Sequence, residues 1–455
     1  MGLAIEAFMS KPLRVGVAGL GVVGASLVRL LQRQSEALAN RTGRPIVVAA
    51  VSARERTRDR GVDLNGVTFF DDPRALAVSE TIDVFVELIG GAEGAAHDSV
   101  KAALQSGRPV VTANKALIAA HGYELARLAE TKGVALAFES SVAGGVPIIK
   151  TLREGLAGNS IRRVFGILNG TCNYILSKME TDGLSFEECL KEAQKLGYAE
   201  ADPTFDVGGF DTAHKLAILA SLAFGTAIDA EAIHVEGIET ITQDDLGAAD
   251  ELGYRVKLLG VAERTARGVE QRVHPTMVAK STAIAQVMGV LNAVTIDADA
   301  VGELTLVGPG AGGDATASAV AADIVDIARG VVIQAFGRPT QSLEEVERVP
   351  MQRHEGGYYV RLMVVDKPGA MATIATRMAE QKISLESIMQ KGQGGMARRR
   401  RTDPPPNIDK NAPETVRVVL ITHATSETAI REALDLALAD GVVTQKPQVI
   451  RIERE

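Results

Sequence analysis

The sequence predicts an α/β protein in three parts: an N-terminal Rossmann-type parallel sheet, a central α+β domain and a C-terminal ferredoxin-like domain. Three observations predict this fold class. A strand, a glycine-rich turn and a helix open the chain over residues 13–34. Apolar strands then alternate with helices, which is typical of a doubly wound parallel sheet. From Tyr358 the pattern becomes strand, helix, strand, strand, helix, strand, which is the ferredoxin-like order.

These patterns divide the chain. We expect a nucleotide-binding domain over residues 12–145 and a second domain over 146–306, in which helices and strands continue to alternate. Residues 307–340 hold a second glycine-rich turn and an alanine-rich helix, which we expect to return to the first domain and to place Gly312 near the ligand. The ferredoxin-like domain is expected over 355–455.

Composition excludes several classes of protein. The 455 residues carry a net charge of −8, which gives no indication of a nucleic-acid partner. The only cysteines, Cys172 and Cys189, show no paired spacing, which argues against a disulfide framework and a cysteine metal site. We find no signal-peptide pattern and no apolar run of membrane-spanning length. We therefore expect a cytoplasmic protein that acts on a small molecule, with no membrane partner.

The glycines of the first turn predict a dinucleotide site. Gly19, Gly21 and Gly24 form GxGxxG between an apolar strand and an apolar-striped helix. Such glycines allow a tight turn, close approach of the backbone to a pyrophosphate, and close packing of helix on strand. We expect Val22 and Val23, inside the motif, to contact the cofactor as well. The alternative is a glycine-rich turn in another kind of α/β unit.

The end of the second strand favours NADP over NAD. An NAD site commonly places an acidic residue there for the ribose hydroxyls, but this strand ends in Ser52 and Arg54, with Arg56 and Arg58 following. A hydroxyl and guanidinium groups suit a 2′-phosphate better. A solvated basic loop is the alternative, and NAD stays open as cofactor.

Polar residues are expected at the carboxyl ends of two later strands, where ligands bind in such sheets. A buried strand lies within residues 82–91, and another is expected within 109–122. Thr112, Asn114 and Lys115 fall at the end of the latter, so we expect their side chains to point into the ligand crevice.

A glycine-rich crossover follows, within residues 134–156, before a helix that Pro147 opens. Its turn SVAGGVP would expose backbone carbonyls with few side chains in the way. Together with Glu139, these carbonyls could coordinate a hard monovalent cation. The alternative is a tight junction between domains.

The densest cluster of charged residues lies within 197–215. Glu200, Asp202, Asp206 and Asp211 precede Lys215 there. Asp211 and Lys215 are four residues apart at the start of an apolar helix, so they share one face of it. A surface ion pair is the alternative to a substrate site. The preceding helix is expected to begin at an N-cap, Ser185, and to stop at Gly197.

The ferredoxin-like part contains an insertion within residues 392–414 that is rich in Gly, Arg and Pro. We expect it to be a mobile excursion between the second and third strands. Its four consecutive arginines are interpreted as part of a solvated loop rather than as a nucleic-acid site.

Four stretches resemble the bacterial homoserine dehydrogenases that carry a C-terminal ACT domain: GVAGLGVVG, VVTANKALIA, FGILNGTCNYIL and GYAEADPTFDVGGFDTAHKLAILA. The resemblance covers residues 13–454. It implies an NAD(P)-dependent enzyme that reversibly reduces L-aspartate 4-semialdehyde to L-homoserine, on the pathway to threonine, methionine and isoleucine. It also implies that 146–306 is the catalytic and dimerisation domain and that 355–455 is a regulatory ACT domain.

The resemblance further implies roles for individual residues. Lys215 matches the family's proton donor, and Asp211 matches the acid that orients the substrate. Glu200 matches the carboxylate that binds homoserine, Gly197 a backbone contact with the cofactor, and Lys115 a second lysine in the active site. Asp206 is a second choice for the substrate, as is Asp202.

A sodium ion, an oligomer and an effector are implied in the same way. Glu139 and the carbonyls of Val142, Gly144 and Val146 fall on the family's sodium site. The family suggests a homodimer or homotetramer, and threonine as an effector at the ACT domain.

Two rival functions stay open at this point. The first is a reductase of another amino-acid semialdehyde, against which the spacing of Glu200, Asp211 and Lys215 argues. The second is a non-catalytic sensor of dinucleotide and amino acid, against which the presence of Lys115 and Lys215 argues.

Overall fold

The strands of the N-terminal sheet are short runs of β-branched and apolar residues. Such runs are expected in a parallel sheet, because helices cover both of its faces and bury its strands. The computed structural model describes residues 11–345, 348–349, 351, 354–391 and 414–453. Six parallel strands lie in the order β3-β2-β1-β4-β5-β6, which confirms the doubly wound sheet that the sequence predicts. The strands are β1 Leu13–Ala18, β2 Ile46–Ser52, β3 Thr68–Phe70, β4 Val84–Glu87, β5 Val110–Thr112 and β6 Leu136–Ala137.

Helices connect consecutive strands of this sheet except β2 and β3, since most parallel neighbours need a crossover. They are α1 Val22–Arg33, α2 Ser35–Thr42, α3 Pro73–Ala77, α4 Ala95–Gln105 and α5 Lys115–Lys132. The prediction of a strand within 109–122 is wrong about the length of the strand. β5 stops at Thr112, Asn114 caps the next helix, and Lys115 is the first residue of α5. The apolar run that continues past Lys115 belongs to the buried face of a helix.

The crossover from the first sheet is short and irregular. A 3-10 turn, Glu139–Ser141, precedes the short helix α6 Ile148–Lys150, for which Pro147 is the N-cap. A π-helical turn, Thr151–Gly155, then leads to the second sheet.

The middle of the chain combines helices with a largely antiparallel sheet. Its helices are α7 Gly170–Asp182, α8 Phe186–Lys195, α9 Thr204–Val207, α10 Phe210–Phe224 and α11 Gln243–Glu251. Its strands are β7 Ile161–Ile167, β8 His234–Val235, β9 Tyr254–Thr265, β10 Gly268–Ala279, β11 Leu291–Ala298 and β12 Gly302–Pro309.

The expected alternation of helices and strands fails between residues 254 and 309. β9 and β10 form one antiparallel hairpin, and β11 and β12 form another. Only two residues separate β9 from β10, which leaves no room for a helix. A single 3-10 turn, Ile284–Gln286, lies between the hairpins.

The last glycine-rich turn returns to the nucleotide domain, as the sequence suggested. Helix α12, Gly313–Ala328, packs so closely on α1 that a Cβ on Gly313 would lie 2.6 Å from Oγ of Ser26. Its apolar face, with Val320 and Ile324, is buried in the same cluster as the strands of the first sheet.

The C-terminal part has the predicted order of elements. It comprises β13 Glu355–Val365, α13 Ala370–Glu380, β14 Leu385–Lys391, β15 Thr415–Thr422, β16 Thr425–Ser426, α14 Glu427–Ala439 and β17 Gln448–Glu453. The four long strands lie in the order β17-β13-β15-β14, which is the ferredoxin-like arrangement. Most of the predicted insertion, residues 392–413, lies outside the described residues.

The C-terminal part shares a sheet with the central part of the chain. β17 pairs in parallel with β10, where Thr276 lies opposite Arg451. This pairing joins the central and C-terminal strands into one sheet, whose path of nine strands among the described residues runs β12-β11-β7-β9-β10-β17-β13-β15-β14.

A buried ion cluster holds this junction. The guanidinium of Arg451, with a side chain only 2% exposed, donates to both oxygens of Glu236 at 2.7 and 3.0 Å and to both oxygens of Glu427 at 2.8 and 3.1 Å. Burial would raise the pKa of Glu236, but His234 and Arg451 outweigh it and hold that pKa well below its usual range. Both carboxylates therefore share one buried arginine, while the more exposed His234 and Arg431 contact Glu236 and Glu427 at 2.9 Å each.

Replacing Arg451 with methionine should strongly destabilise the protein, because Glu236 and Glu427 would lose their buried partner and keep only the more exposed His234 and Arg431. We expect a loss of roughly 3–5 kcal/mol in the free energy of unfolding, measured as a lower urea midpoint. As the folded pKa of Glu236 lies below its unfolded value, the effect should be full at neutral pH and shrink as the pH falls towards the folded pKa. Arg162→Met, which removes an exposed pair with Asp297, is the control and should leave the midpoint nearly unchanged. Equal midpoints for the two variants would contradict this account.

Candidate active site

Three helix starts meet at the carboxyl end of the nucleotide sheet. Lys115 begins α5, Asn169 is the N-cap of α7, and Asp211 lies in the first turn of α10 with Lys215 one turn later. Each start follows a buried strand or a glycine turn, so the polar side chains are placed by short, well-packed connections. The site therefore draws on both the first sheet and the second.

A single buried carboxylate organises the site. Oδ2 of Asp211 accepts hydrogen bonds from Nζ of Lys215 at 2.7 Å and from Nδ2 of Asn169 at 2.8 Å, and its Oδ1 lies 3.0 Å from Nζ of Lys115. Burial alone would raise the pKa of Asp211. The two ammonium groups outweigh it, and the pKa lies well below the usual range. Asp211 therefore stays ionised and holds two positive charges beside it.

The two lysines differ in how many partners they have. Nζ of Lys215 also donates to the carbonyl of Leu168 at 2.7 Å, and its side chain is 12% exposed. An ammonium has three donors, so these two contacts leave one for a ligand. The Lys115 side chain is 34% exposed and lies more openly in the crevice.

Asn169 links the two aspartates of the cluster. Its Nδ2 donates to Oδ1 of Asp206 and to Oδ2 of Asp211, both at 2.8 Å, while its Oδ1 accepts from the backbone N–H of Cys172. Burial and the nearby charge of Asp211 raise the pKa of Asp206. Sequence reasoning did not assign Asn169 to the site. An asparagine between a buried strand and a helix was the available signal.

Other acidic residues of the 197–215 stretch do not join this cluster in the structure. Glu200 is exposed between α8 and α9, and its carboxylate makes no hydrogen bond or ion pair with any described residue. Asp202 accepts from both the backbone and the hydroxyl of Thr204, which explains it as a local turn residue. Gly197 ends α8 with φ +76°, while Ser185 caps its start, so the predicted helix limits are confirmed.

The glycine turn leaves a helix start open. A Cβ on Gly19 would lie 2.3 Å from the carbonyl oxygen of Leu88, and one on Gly24 would lie 2.0 Å from that of Gly19. By contrast, a Cβ on Gly21 would meet nothing within 4 Å. Gly21 is the N-cap of α1 and supplies no side-chain hydrogen bond, so the first N–H groups of the helix remain available to a phosphate.

Neighbouring residues frame this helix start. Val22, the first residue of α1, is 75% exposed, and Val23 is half-buried. Gly312, with φ +106°, is the N-cap of α12, and the next residue packs against Val22. The second glycine turn therefore lies against the first.

The strand ends of β4 and β5 carry a buried polar network. The hydroxyl of Thr112 donates to Glu87 at 2.5 Å, and the other Glu87 oxygen accepts from the N–H groups of Ile89 and Gly90. Nδ2 of Asn114 donates to the carbonyl of Gly91. The expectation that the side chains of Thr112 and Asn114 face the crevice is therefore wrong, because both are buried and hold the loops that follow the strands.

Arginines surround the loop after β2. Arg54 is exposed, and the guanidinium of Arg56 lies over the ring of Phe69, 5.2 Å from its centroid. Nε of Arg60 donates to the carbonyl of Leu20, inside the glycine turn, at 3.1 Å. Sequence reasoning missed Arg60. The argument for NADP considered only the residues just after β2, and Arg60 lies further along the chain.

Glu139 lies buried at the crossover. Its carboxylate accepts from the backbone N–H groups of Ile149 and Lys150 at 3.0 and 2.7 Å. Burial, and then the charge of Asp323, raise the pKa of Glu139 to about 7. The crossover is also a tight junction, since a Cβ on Gly144 would lie 2.5 Å from the carbonyl oxygen of Gly310.

The class of protein follows from these two sites together. A doubly wound sheet with an open helix start binds a dinucleotide, and its carboxyl edge presents an ammonium pair held by a buried carboxylate. Ammonium groups stabilise and protonate an oxygen on which negative charge develops. These are the features expected of a nicotinamide-dependent oxidoreductase.

Comparisons with known proteins identify the family. Residues 19–139 match the family described as homoserine dehydrogenase, NAD binding domain, and residues 147–325 match the family described as homoserine dehydrogenase. The homoserine dehydrogenase of Pseudomonas aeruginosa is 44% identical over 456 residues, covering 98% of this chain and 99% of the relative. The chain therefore belongs to the homoserine dehydrogenase family.

Solved structures agree with this assignment. The crystal structure of a homoserine dehydrogenase from Thiobacillus denitrificans superimposes with a TM-score of 0.89 at 41% identity, covering 98% of this chain and 99% of that one. A hyperthermophilic archaeal homoserine dehydrogenase in complex with NADPH has a TM-score of 0.59 at 29% identity, covering 70% and 97%. None of the described helices is long and apolar enough to cross a membrane.

Asn169→Ser tests the bridge between Asp206 and Asp211. Serine retains an oxygen that can cap α7, but it cannot reach both carboxylates. Because the amide N–H favours the ionised forms, its loss should raise the pKa of Asp206 further and move the acid limb of the kcat/KM pH profile upwards. We expect kcat to fall by roughly 10-fold or more, as loss of a positioning contact implies. A thermal midpoint close to wild type checks the fold, and an unchanged pH profile would refute the bridge.

Proposed function

We propose that this chain catalyses the reversible NAD(P)H-dependent reduction of L-aspartate 4-semialdehyde to L-homoserine. The observation that carries the proposal is the Asp211 carboxylate, which holds Lys215 and Lys115 at the carboxyl edge of the dinucleotide sheet. The nicotinamide supplies the hydride when bound. The chain's own residues orient the aldehyde and supply its proton.

Lys215 is the proposed proton donor. Negative charge develops on the aldehyde oxygen during reduction, and a nearby ammonium both stabilises this charge and protonates the oxygen. Asp211 aims Lys215, because its own low pKa leaves it ionised and able to accept the hydrogen bond of the lysine. Lys115 adds a second positive charge on the more exposed side of the crevice. In the reverse direction Lys215, as the neutral amine that proton donation leaves, takes the proton from the homoserine hydroxyl.

Carboxylates are proposed to bind the amino group of the substrate. Asp206 belongs to the cluster through Asn169, and Glu200 has a carboxylate that is exposed and uncommitted among the described residues. The family resemblance assigns Glu200 to the substrate ammonium. An exposed carboxylate on the short segment before α9 can make this contact without breaking another.

The cofactor is proposed to be NADP in preference to NAD. Gly19, Gly21, Gly24 and the start of α1 would cradle the pyrophosphate, with Val22, Val23 and Gly312 around it. Arg54, two residues after β2, would contact the 2′-phosphate, and the archaeal relative in complex with NADPH supports this. Thr112 would contribute through its backbone, since its hydroxyl is bonded to Glu87. Gly197 is proposed as a further backbone contact.

A sodium ion is proposed at the crossover, held by Glu139 and the carbonyls of Val142, Gly144 and Val146. The raised pKa of Glu139 supports the fit, since it reflects buried negative charge that a cation would relieve. The Val146 carbonyl also accepts from the N–H of Ile148 at 2.8 Å, but a carbonyl oxygen has a second lone pair. The cation would fix the junction between the two domains.

We propose a homodimer or homotetramer in the cytoplasm, with threonine as an effector of the C-terminal unit acting as an ACT domain. The family resemblance supports these proposals, and the ferredoxin-like strand order supports the last of them. A reductase of another amino-acid semialdehyde is the rival. Comparing aspartate semialdehyde with its homologue one methylene longer separates the two.

Lys215→Ala tests the mechanism. Loss of the proton donor should lower kcat by roughly 10²–10⁴-fold, measured with homoserine and each nicotinamide cofactor, with and without threonine. NADPH affinity should change little, because no cofactor contact is assigned to this side chain. The matched control is Lys191→Ala, an exposed lysine of α8 that should keep wild-type turnover. Near-wild-type kcat in Lys215→Ala would rule the mechanism out.

Arg54→Ala tests the cofactor preference. Removing the guanidinium should raise KM for NADPH by about 10-fold, equivalent to the loss of one charge-assisted hydrogen bond, and leave KM for NADH nearly unchanged. Arg33→Ala, at the far end of α1, is the control for a general loss of positive charge. Equal increases for both cofactors in Arg54→Ala would remove the argument for a 2′-phosphate contact.

A further inference from the structure

We propose that helices α4 and α5 carry a binding site for a first-row transition-metal ion such as Zn²⁺, with His97, His121 and Glu124 as its ligands. The site lies outside the lysine–aspartate cluster and the crossover cation site. It shares none of their residues.

The geometry brings three ligand types together. His97 lies in the first turn of α4, and His121 and Glu124 are three residues apart on α5, hence on one face of it. The imidazole centroids of His97 and His121 are 4.5 Å apart. One ligand atom from each of the three residues lies within 4.8 Å of the other two. Small rotations of the side chains would bring these atoms around one ion.

The hydrogen bonds of His97 leave a ligand atom free. Its Nδ1 lies 3.4 Å from Oδ1 of Asp98, whereas its Nε2 is buried and has no hydrogen-bond partner in the structure. Metal-bound histidines are commonly oriented in this way, with one ring nitrogen beside a carboxylate and the other facing the ion. A buried nitrogen without a partner is costly, and a metal ion would satisfy it.

The donor set selects the metal. Two imidazole nitrogens and one carboxylate oxygen match three-ligand zinc sites, in which water takes the fourth position. Imidazole also suits Co²⁺, Ni²⁺ and Cu²⁺, whereas Mg²⁺ and Ca²⁺ prefer oxygen ligands. Glu93, whose Oε1 lies 2.7 Å from Nε2 of His121, adds a further negative charge at the mouth of the site.

One ammonium competes with the metal. Nζ of Lys101 lies 2.7 Å from Oε1 of Glu124, so it neutralises the carboxylate that the ion would use. The Lys101 side chain is partly exposed and can swing away. Removing this lysine should therefore strengthen metal binding. If Glu124 were not a ligand, removing Lys101 would have no such effect.

The site would also tie together the two helices that flank the crevice. Its α5 ligands lie about two turns beyond Lys115, the first residue of α5. Asn114, the cap of that helix, is bonded to Gly91 in the loop that leads to α4. A bound ion would thus hold α4 and α5 together next to the loop that contains Gly91. It would raise the thermal stability of the nucleotide domain.

The test is calorimetric titration of the chelator-treated full-length protein with ZnCl₂, together with visible spectra in the presence of Co²⁺. We expect one ion per chain, a higher thermal midpoint, and the strong absorption of tetrahedral cobalt. His97→Ala and His121→Ala should each weaken Zn²⁺ binding by at least roughly 10-fold, whereas Lys101→Met should strengthen it.

His423→Ala is the matched control, since this exposed imidazole lies beside Glu386 in the C-terminal unit. It should leave affinity and stoichiometry unchanged. Wild-type turnover in the histidine variants verifies their fold. The proposal is overturned if the wild-type protein binds no Zn²⁺, or if the double variant His97→Ala/His121→Ala binds it as tightly as the wild type does.

Discussion

The buried carboxylate of Asp211 is the interaction on which the site depends. It accepts from Lys215 and Asn169 and lies beside Lys115, and these partners come from α10, α7 and α5. A carboxylate in this position is stable only while its positive partners stay close. Separation of the nucleotide sheet from the second sheet would remove Lys115, the one partner of this cluster that the nucleotide domain supplies, and would leave Asp211 with Lys215 and Asn169. The contact with Lys115 therefore favours one relative position of the two domains, in which the carboxyl edge of the nucleotide sheet lies beside Lys215.

The sequence predicted the parts of the fold whose signals are local. The glycine turn, the alternation in the first sheet and the Ser185 and Gly197 helix limits needed only neighbouring residues, and all are observed. The β9–β10 hairpin was missed because its long strands are buried on both faces and show no alternation. The pairing of β10 with β17 could not be predicted at all, since no local pattern specifies partners so distant in the chain.

The site was predicted in a similar way. Spacing identified Asp211 and Lys215, and the strand end identified Lys115, because each depends on a short stretch. The direction of side chains was harder to predict from the sequence. Thr112 turns inwards to Glu87, because β5 ends at Thr112 and a helix begins three residues later. Asn169 was overlooked because its importance comes from two aspartates that only the folded chain brings to it.

The continuous second sheet has a consequence for how the C-terminal unit could govern the enzyme. β17 pairs with β10, β10 with β9, and β9 with β7. The residues directly after β7 are Leu168, whose carbonyl accepts from Lys215, and Asn169. A ligand that twists the C-terminal strands would thus shear a hydrogen-bonded ladder that ends beside Lys215. Control of this kind needs no hinge and no swinging domain, and its amplitude is limited by the stiffness of the sheet.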